Sequence, residues 1–511
     1  MLTDLSLCRP PGAIAGNRSR CTWQTVSYEA QGIKGIMLTS APEDLVPEVE
    51  YPLASAGWHA VFLGLWKGGV TVELTGDAAD RYLRPDHNGT GPLRFQEVFW
   101  KCADLTGRNL LFKHDPNLLQ PVPKFGNCGT SCVAWIKLVP MTGKQVERWQ
   151  AAALTGDNKR MIGHHDFSTM QGKNRAFTSP ATTRSQIEPY RNSDFEKLLL
   201  EYWHNGEGVQ AYRTAIDYAH EIGLQVYLAR RMGSMPVNPI RRIRDRDGAE
   251  LPRLSYAYPE SQDQTIGVLE QMASYRPDGI ALFFHKGMPF LRFETSIVRS
   301  FLEATGTDPL KLPEDDPEWL RHRAGFLTGY LRRVRTRLDE YTTRSDMAKF
   351  GIAVYVLATR DNNLLFGLDP ETWIREGLVD EVIASSKLCP QAGERISIFN
   401  TDDNGPNFDY LVAVAANTDT RIYCDLSPAG DTGRYAEPET YRRLAMDLYA
   451  RGVHAPCIWD AHTRHQLPRQ WNTIARLGHK DELTGMDHGE GALHRDIKVD
   501  NIGGETVNRW G

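Results

Sequence analysis

The sequence predicts an α/β protein, a (β/α)8 barrel of the TIM type with an antiparallel β-sandwich domain before it. Two observations carry this expectation. Between residues 155 and 470 the chain alternates eight short apolar runs with amphipathic helical stretches, as a barrel of parallel strands requires. From Tyr51 to Pro140 the rhythm differs, with short β-type runs separated by turn residues and no amphipathic helix among them. A third observation argues against the alternative: no G-x-G-x-x-G follows the first run of the repeating part, so a doubly wound dinucleotide fold loses support.

The run Asp278-Gly279-Ile280-Ala281-Leu282-Phe283-Phe284-His285-Lys286-Gly287 sets the pattern. Its apolar centre is too short for a helix, starts at an Asp-Gly punctuation and ends in charged residues and glycine, which is how a buried parallel strand reads. The other strands are predicted over Arg160–Phe167, Phe195–Tyr202, Leu224–Met232, Phe350–Ala358, Val379–Ser386, Arg421–Ser427 and Ala455–His462, and this one over Gly279–Lys286. Helices are expected over Gly208–Ile222, Ser261–Tyr275, Trp319–Tyr341 and Pro438–Arg451.

Residues 1–48, rich in Arg, Gly, Pro and Ser, read as an N-terminal arm. Residues 49–145 hold the sandwich, a carbohydrate-binding-like module or lid with strands at Trp58–Trp66, Val70–Leu74, Glu97–Cys102, Asn109–Lys113 and Cys132–Val139. A helix over Gln145–Ala153 leads into the barrel, and residues 471–511 return to β-like character, able to add a strand to the sandwich.

Composition describes an ordinary soluble globular protein: 41% hydrophobic, 24% charged and a formal charge of -5 over 511 residues. Nothing in that balance points to nucleic acid or to a membrane. The eight cysteines are scattered, and Cys128 with Cys132 lacks a second pair at zinc spacing, so free thiols and no metal are expected. The opening Met-Leu-Thr-Asp-Leu-Ser-Leu has neither the basic region nor the apolar run of a signal peptide, which predicts a cytoplasmic protein.

One pattern misleads. His494-Arg495-Asp496-Ile497-Lys498-Val499-Asp500-Asn501 fits the catalytic loop of protein kinases, but no D-F-G follows it and no glycine-rich loop or strand-borne lysine precedes it.

Polar groups at the C-terminal ends of barrel strands converge on one mouth. These are His164, His165 and Asp166 after strand one, Arg230 and Arg231 after strand three, and His285, Lys286, Arg292 and Glu294 after strand four. Arg360 and Asp361 follow strand five, Asp425 lies on strand seven, and Trp459, Asp460 and His462 close strand eight. Carboxylates bind sugar hydroxyls, and Trp459 or Phe284 offers a stacking face. Hydrolysis of a glycosidic bond needs two opposed carboxyls, for which Asp166, Glu294, Asp361, Asp425 and Asp460 are available. Asp278, before its strand, belongs to the barrel floor and to stability, and Asp369 before Pro370 reads as a helix N-cap. The arginines 241, 242, 244, 246 and 253 predict an anionic glycan if their loop faces the mouth.

Several phrases resemble barrel proteins of the glycosyl-hydrolase-like family 10, within a wide group of glycosidase-type barrels. They are Pro277-Asp278-Gly279-Ile280, Pro289-Phe290, Trp319-Leu320-Arg321-His322-Arg323-Ala324, Phe366-Gly367-Leu368-Asp369 with Trp373, Gly377-Leu378-Val379-Asp380, Tyr256-Ala257-Tyr258-Pro259 and Trp459-Asp460. Some relatives of this type also carry an N-terminal sandwich, matching Gly57-Trp58 through Pro140. In the wider group, strand four reads D-G-I-h-h-D and its second Asp is the expected catalytic carboxylate; here that position is Phe283.

The resulting expectation is a glycoside hydrolase acting on a poly- or oligosaccharide without an organic cofactor. Glu294 is its acid/base, and Asp460 or Asp361 its partner carboxylate. Asp166, His165, Arg230, His285, Lys286, Arg292, Tyr256, Asp425 and Trp459 bind substrate. Self-association is compatible with it. Two alternatives stand: a glycan-binding barrel that has lost catalysis, and a metal-dependent hydrolase or isomerase using His164, His165 and His285 with Asp460. Adjacent His164 and His165 point to opposite faces of a strand, which weakens the latter.

Overall fold

Eight apolar runs flanked by helices bury both faces of a parallel sheet, and closing that sheet leaves no edge to protect. The computed structural model describes the chain except residues 18, 42, 67, 86–93, 115–130, 155–157, 167–178, 203–208, 235–240, 386, 389–395, 398–407, 427–435, 484–492 and 507–511. Its centre is a closed barrel of parallel strands: Met161–His165, Phe195–Glu201, Gln225–Arg231, Gly279–Phe283, Gly351–Leu357, Glu381–Ser385, Arg421–Asp425 and Ala455–Ile458, the eighth pairing back to the first. Each lies inside a predicted run, and the polar tail of each run has become the start of a loop.

Alternation along the strands decides what fills the barrel. On the second strand Lys197, Leu199 and Glu201 share the inward face, and Lys197 reaches across the floor to pair with Glu381 of the sixth. The Tyr227 ring lies 4.9 Å from the Lys197 ammonium. A Cβ on Gly279 would come within 2.7 Å of that ring, and one on Gly351 would collide with its hydroxyl, so two glycines make room for one tyrosine. The floor is thus a packed layer, and the open end is the opposite one.

The helices do the stitching. Pro317–Arg344, N-capped by Asp316, is the long helix expected over Trp319–Tyr341. Asp278 accepts the Val226 main-chain N–H at 2.7 Å, and Asp380 accepts that of Ile352 at the same distance, so each ties together two strand entries at the floor. Asp369 caps Pro370–Arg375 through the Thr372 N–H. Among the described residues no helix is long and apolar enough to cross a membrane.

Outside the barrel are two sheets of mostly antiparallel strands, built from chain on both sides of it. The larger runs His494–Lys498, Arg94–Asp104, Trp58–Leu65, Ser131–Pro140, Ile33–Ser40, Trp23–Ala30, Asn501–Ile502 and Glu505–Thr506, with Ile14–Ala15 beside Trp23–Ala30. The smaller joins Val49–Tyr51, Leu110–Lys113, Val70–Leu74 and Arg81–Leu83. Val61, Leu63 and Val98 of the first share one apolar core with Val72, Leu74 and Phe112 of the second.

One expectation changes here. Residues 1–48 are not an irregular arm: Trp23–Ala30 and Ile33–Ser40 form a hairpin inside the larger sheet, turning at Gln31 (φ 46°) and Gly32 (φ 82°). Two positive φ values in a two-residue loop match the right-handed twist of paired strands. The kinase-like motif is an edge strand, His494–Lys498, in which Asp496 meets Arg94 at 3.0 Å. Cys132 is buried against Met37, while Cys128 and Cys389 lie outside the described residues.

The sheets rest on the helices that follow the eighth strand. The Arg84 N–H donates to the Gln466 carbonyl at 2.9 Å, and Asn472 donates to that of Phe99 at 3.2 Å.

Candidate functional site

The alternation that sends Lys197 and Tyr227 into the floor sends a second layer of inward residues to the mouth. His164 comes from strand one, Glu201 from two, Arg231 from three, Phe283 from four, Tyr355 from five, Asp425 from seven and Trp459 from eight.

The polar part of this layer is a chain of charge centred on His164, which is sealed from solvent. Its Nε2 lies 3.0 Å from Glu201 Oε1 and its Nδ1 lies 3.3 Å from Asp460 Oδ1. The Asp460 main-chain N–H also points at Nδ1, at 3.1 Å. Arg231 donates twice to Glu201 Oε1, at 2.9 Å from Nε and 2.6 Å from Nη2, and Nη2 reaches Asp166 Oδ2 at 3.3 Å. Burial opposes a charge on His164, but the two carboxylates outweigh it and raise the imidazole above its ordinary value. Burial likewise opposes a charge on Asp460, and the His164 bond, with His462 and Lys286 nearby, outweighs it and holds the carboxyl well below the usual range. Asp460 has a left-handed backbone, φ 53° and ψ 40°, a conformation that strains a residue other than glycine. Its side chain is 39% exposed, against 13% for Asp166.

The apolar part is an aromatic floor. Trp459 lies flat on His164, with centroids 3.5 Å apart and planes 11° from parallel. Phe283 meets His164, Trp459 and Tyr355 at 5.5, 5.5 and 5.6 Å, and the His285 ring lies against Tyr355 at 3.9 Å, tilted by 31°. The Lys286 ammonium sits 3.9 Å from the Trp459 ring centroid. Asp425 is buried beside Tyr355; burial first and the Asp425 charge second raise that phenol.

Asp460, Asp166, His285, Lys286, Asp425 and Trp459 therefore gather at the mouth with His164, while the other candidates do not. Glu294 is fully buried in the loop after strand four, accepting from Ser255 Oγ at 2.5 Å and from the Arg292 N–H at 2.7 Å. Burial raises its carboxyl as an acid role requires, but no solvent reaches it, and an enclosed carboxyl cannot meet a glycosidic oxygen. Asp361 is exposed on the first turn of helix Arg360–Leu365. His165, one residue on from His164, turns out of the barrel toward Tyr190, His462 and His465. Arg230 likewise alternates away from Arg231 and donates to the Tyr202 carbonyl. Arg292 pairs with Asp245 and Glu314, and Tyr256 is buried with its hydroxyl on the Met232 carbonyl. Trp459 and Phe284 are too buried to stack on a sugar.

Four of the five arginines in the run are satisfied locally, and Arg242 is exposed. Arg241 pairs with Glu260 and Arg244 with Glu250, Arg246 donates to the Leu310 and Leu312 carbonyls, and Arg253 donates to that of Gly287. Sequence reasoning missed Glu201, although it lies within the predicted second strand in phase with Lys197 and Leu199.

Among the described residues no group of three or more His, Cys, Asp or Glu is arranged to hold a metal ion, and His164 and His165 face opposite ways. No family model matches the sequence, and no curated protein does. Solved structures with a similar backbone include the PgaB (BpsB) glycoside hydrolase domain from Bordetella bronchiseptica, at 12% identity over 62% of this chain and 98% of that one, TM-score 0.41. Another is YKL-39 in the presence of chitooligosaccharides, at 10% identity over 64% and 99%, TM-score 0.40. A third is thiamine phosphate pyrophosphorylase from Pyrococcus furiosus, at 8% identity over 64% and 98%, TM-score 0.29.

Proposed function

We propose that this chain is a carbohydrate-active barrel of glycosidase type in which Asp460 is the reacting carboxylate. The observation that carries the reading is Asp460 itself: half-exposed at the end of a barrel strand, held ionised, on strained backbone. The sequence resemblance to glycosyl-hydrolase-like family 10 barrels supports it. In this reading Asp460 acts as base or nucleophile, and Asp166, part-exposed at the end of the first strand, is the second carboxyl that glycoside hydrolysis needs. Lys286 binds the sugar beside them. The internal pairing of Arg241, Arg244, Arg246 and Arg253 favours a neutral glycan over an anionic one.

A second reading, a glycan-binding barrel without hydrolysis, is favoured by one observation: Phe283 packs among rings where the resemblance calls for a carboxylate, and enclosed Glu294 does not replace it. Incubation with a panel of neutral and anionic oligosaccharides, scored for binding and for new reducing ends, separates the two. Product release that depends on Asp460 supports hydrolysis. Saturable binding without product supports the second reading, and neither binding nor product removes both.

A further inference from the structure

One nitrogen of His164 faces two groups of the same residue. Nδ1 lies 3.1 Å from the Asp460 main-chain nitrogen and 3.3 Å from its carboxylate Oδ1. A neutral imidazole with its proton on Nε2, donated to Glu201 at 3.0 Å, leaves Nδ1 free to accept the Asp460 N–H. A protonated one presents N–H at Nδ1 and donates to the carboxylate instead. Both bonds cannot form at once.

We propose that His164 is a positioning residue for Asp460, whose gain or loss of a proton at Nδ1 exchanges a bond to the Asp460 carboxylate for a bond from its main-chain N–H. The ring cannot tilt to escape this choice, because Trp459 lies against one face at 3.5 Å and Phe283 meets it edge-on. The proton is exchanged with solvent through the half-exposed Asp460 side, since His164 itself is fully buried. Glu201 anchors the far nitrogen and is in turn fixed by Arg231, which also holds Asp166. Burial lowers the neighbouring imidazoles His165 and His462 from their ordinary value, the opposite direction to His164. Lys286, on the other side of Trp459, balances the Asp460 charge. Protonated His164 thus holds the carboxylate oriented and ionised, and neutral His164 holds only the strained backbone. The consequence for turnover rests on the proposed role of Asp460, but the test does not.

The test is a titration of the full chain labelled with 15N-histidine, following ring nitrogens from pH 5 to 9, with His164→Gln to identify the His164 signals. The expected result is an Nδ1 signal of protonated type at pH 6 that moves to the unprotonated type with a midpoint above 6.5. Glu201→Gln and Asp460→Asn should each lower that midpoint by about one pH unit or more, the effect of removing one close opposite charge. An Nδ1 unprotonated throughout in the wild type, or a midpoint unchanged in Asp460→Asn, overturns the proposal. Asp460→Asn alone decides if Glu201→Gln does not fold, because Asp460 lies on the solvent side. A shifted midpoint with unchanged sugar cleavage in Asp460→Asn would sustain this proposal and sink the catalytic reading. Lost cleavage with an unshifted midpoint would do the reverse.

Discussion

Phe283 packs against Trp459 with ring centroids 5.5 Å apart, inside the barrel and sealed from water, where the resemblance of strand four calls for a carboxylate. Phe283→Asp would place an acid among the rings of His164, His285, Tyr355 and Trp459. An unpaired charge there is expected to cost at least about 3 kcal/mol, whereas Phe283→Leu loses roughly 1 to 2 kcal/mol. Thermal and denaturant unfolding of the two variants checks the difference; equal stability would mean the site is wetter than its packing implies.

Glu294 is a structural group on this account. Replacing it with Gln weakens its bonds from Ser255 and Arg292 and should cost about 1 to 3 kcal/mol. Because burial raises its folded carboxyl above 4.5, the stability it contributes is complete below that value and is lost as pH rises through the raised one. The deficit of Glu294→Gln should therefore narrow from pH 4 toward neutrality, with sugar cleavage or binding unchanged per folded molecule.

The His164 and Asp460 pair has a window of its own. The raised imidazole contributes stability that is complete below 6.5 and lost as pH climbs through its folded value; the depressed carboxyl contributes stability present above 3.8 and lost below it. Wild type should exceed Asp460→Asn most between about pH 4 and 6.5, by about 1 kcal/mol given the solvent screening of a half-exposed carboxylate. Urea unfolding at pH 5.5 and pH 9 measures it, and a larger gap at pH 9 would contradict the assignment.

At the floor, Lys197 and Glu381 are an ion pair enclosed by Tyr227. Lys197→Met alone strands a buried carboxylate and should cost about 3 to 5 kcal/mol, while Lys197→Met with Glu381→Leu should recover most of that loss. Denaturant midpoints of the single and double variants decide the point.

The barrel was legible because each strand is buried on both faces, so an uninterrupted apolar run such as Ile280 to Phe284 marks it without reference to distant residues. Strand ends were legible too, since Asp460 and Asp425 sit where the runs stop. The hairpin at Gln31-Gly32 was not, because the Arg- and Pro-rich stretch before it hid a two-residue turn between strands that are buried only in part. Glu294 misled because position in sequence places it after strand four, while its chain turns into the loop packing around Ser255. Glu201 was overlooked because a glutamate closing the run Leu198 to Leu200 reads as the first solvent-facing residue, and only strand parity with Lys197 turns it inward.

Asp460 is proposed above as the reacting carboxylate of a carbohydrate-active mouth. The most direct measurement is single-turnover cleavage and equilibrium binding of one oligosaccharide by wild type and Asp460→Asn. Both should bind with dissociation constants within about threefold, and new reducing ends should form with the wild type, the variant being slower by at least about a hundredfold. Cleavage by Asp460→Asn at the wild-type rate would contradict it.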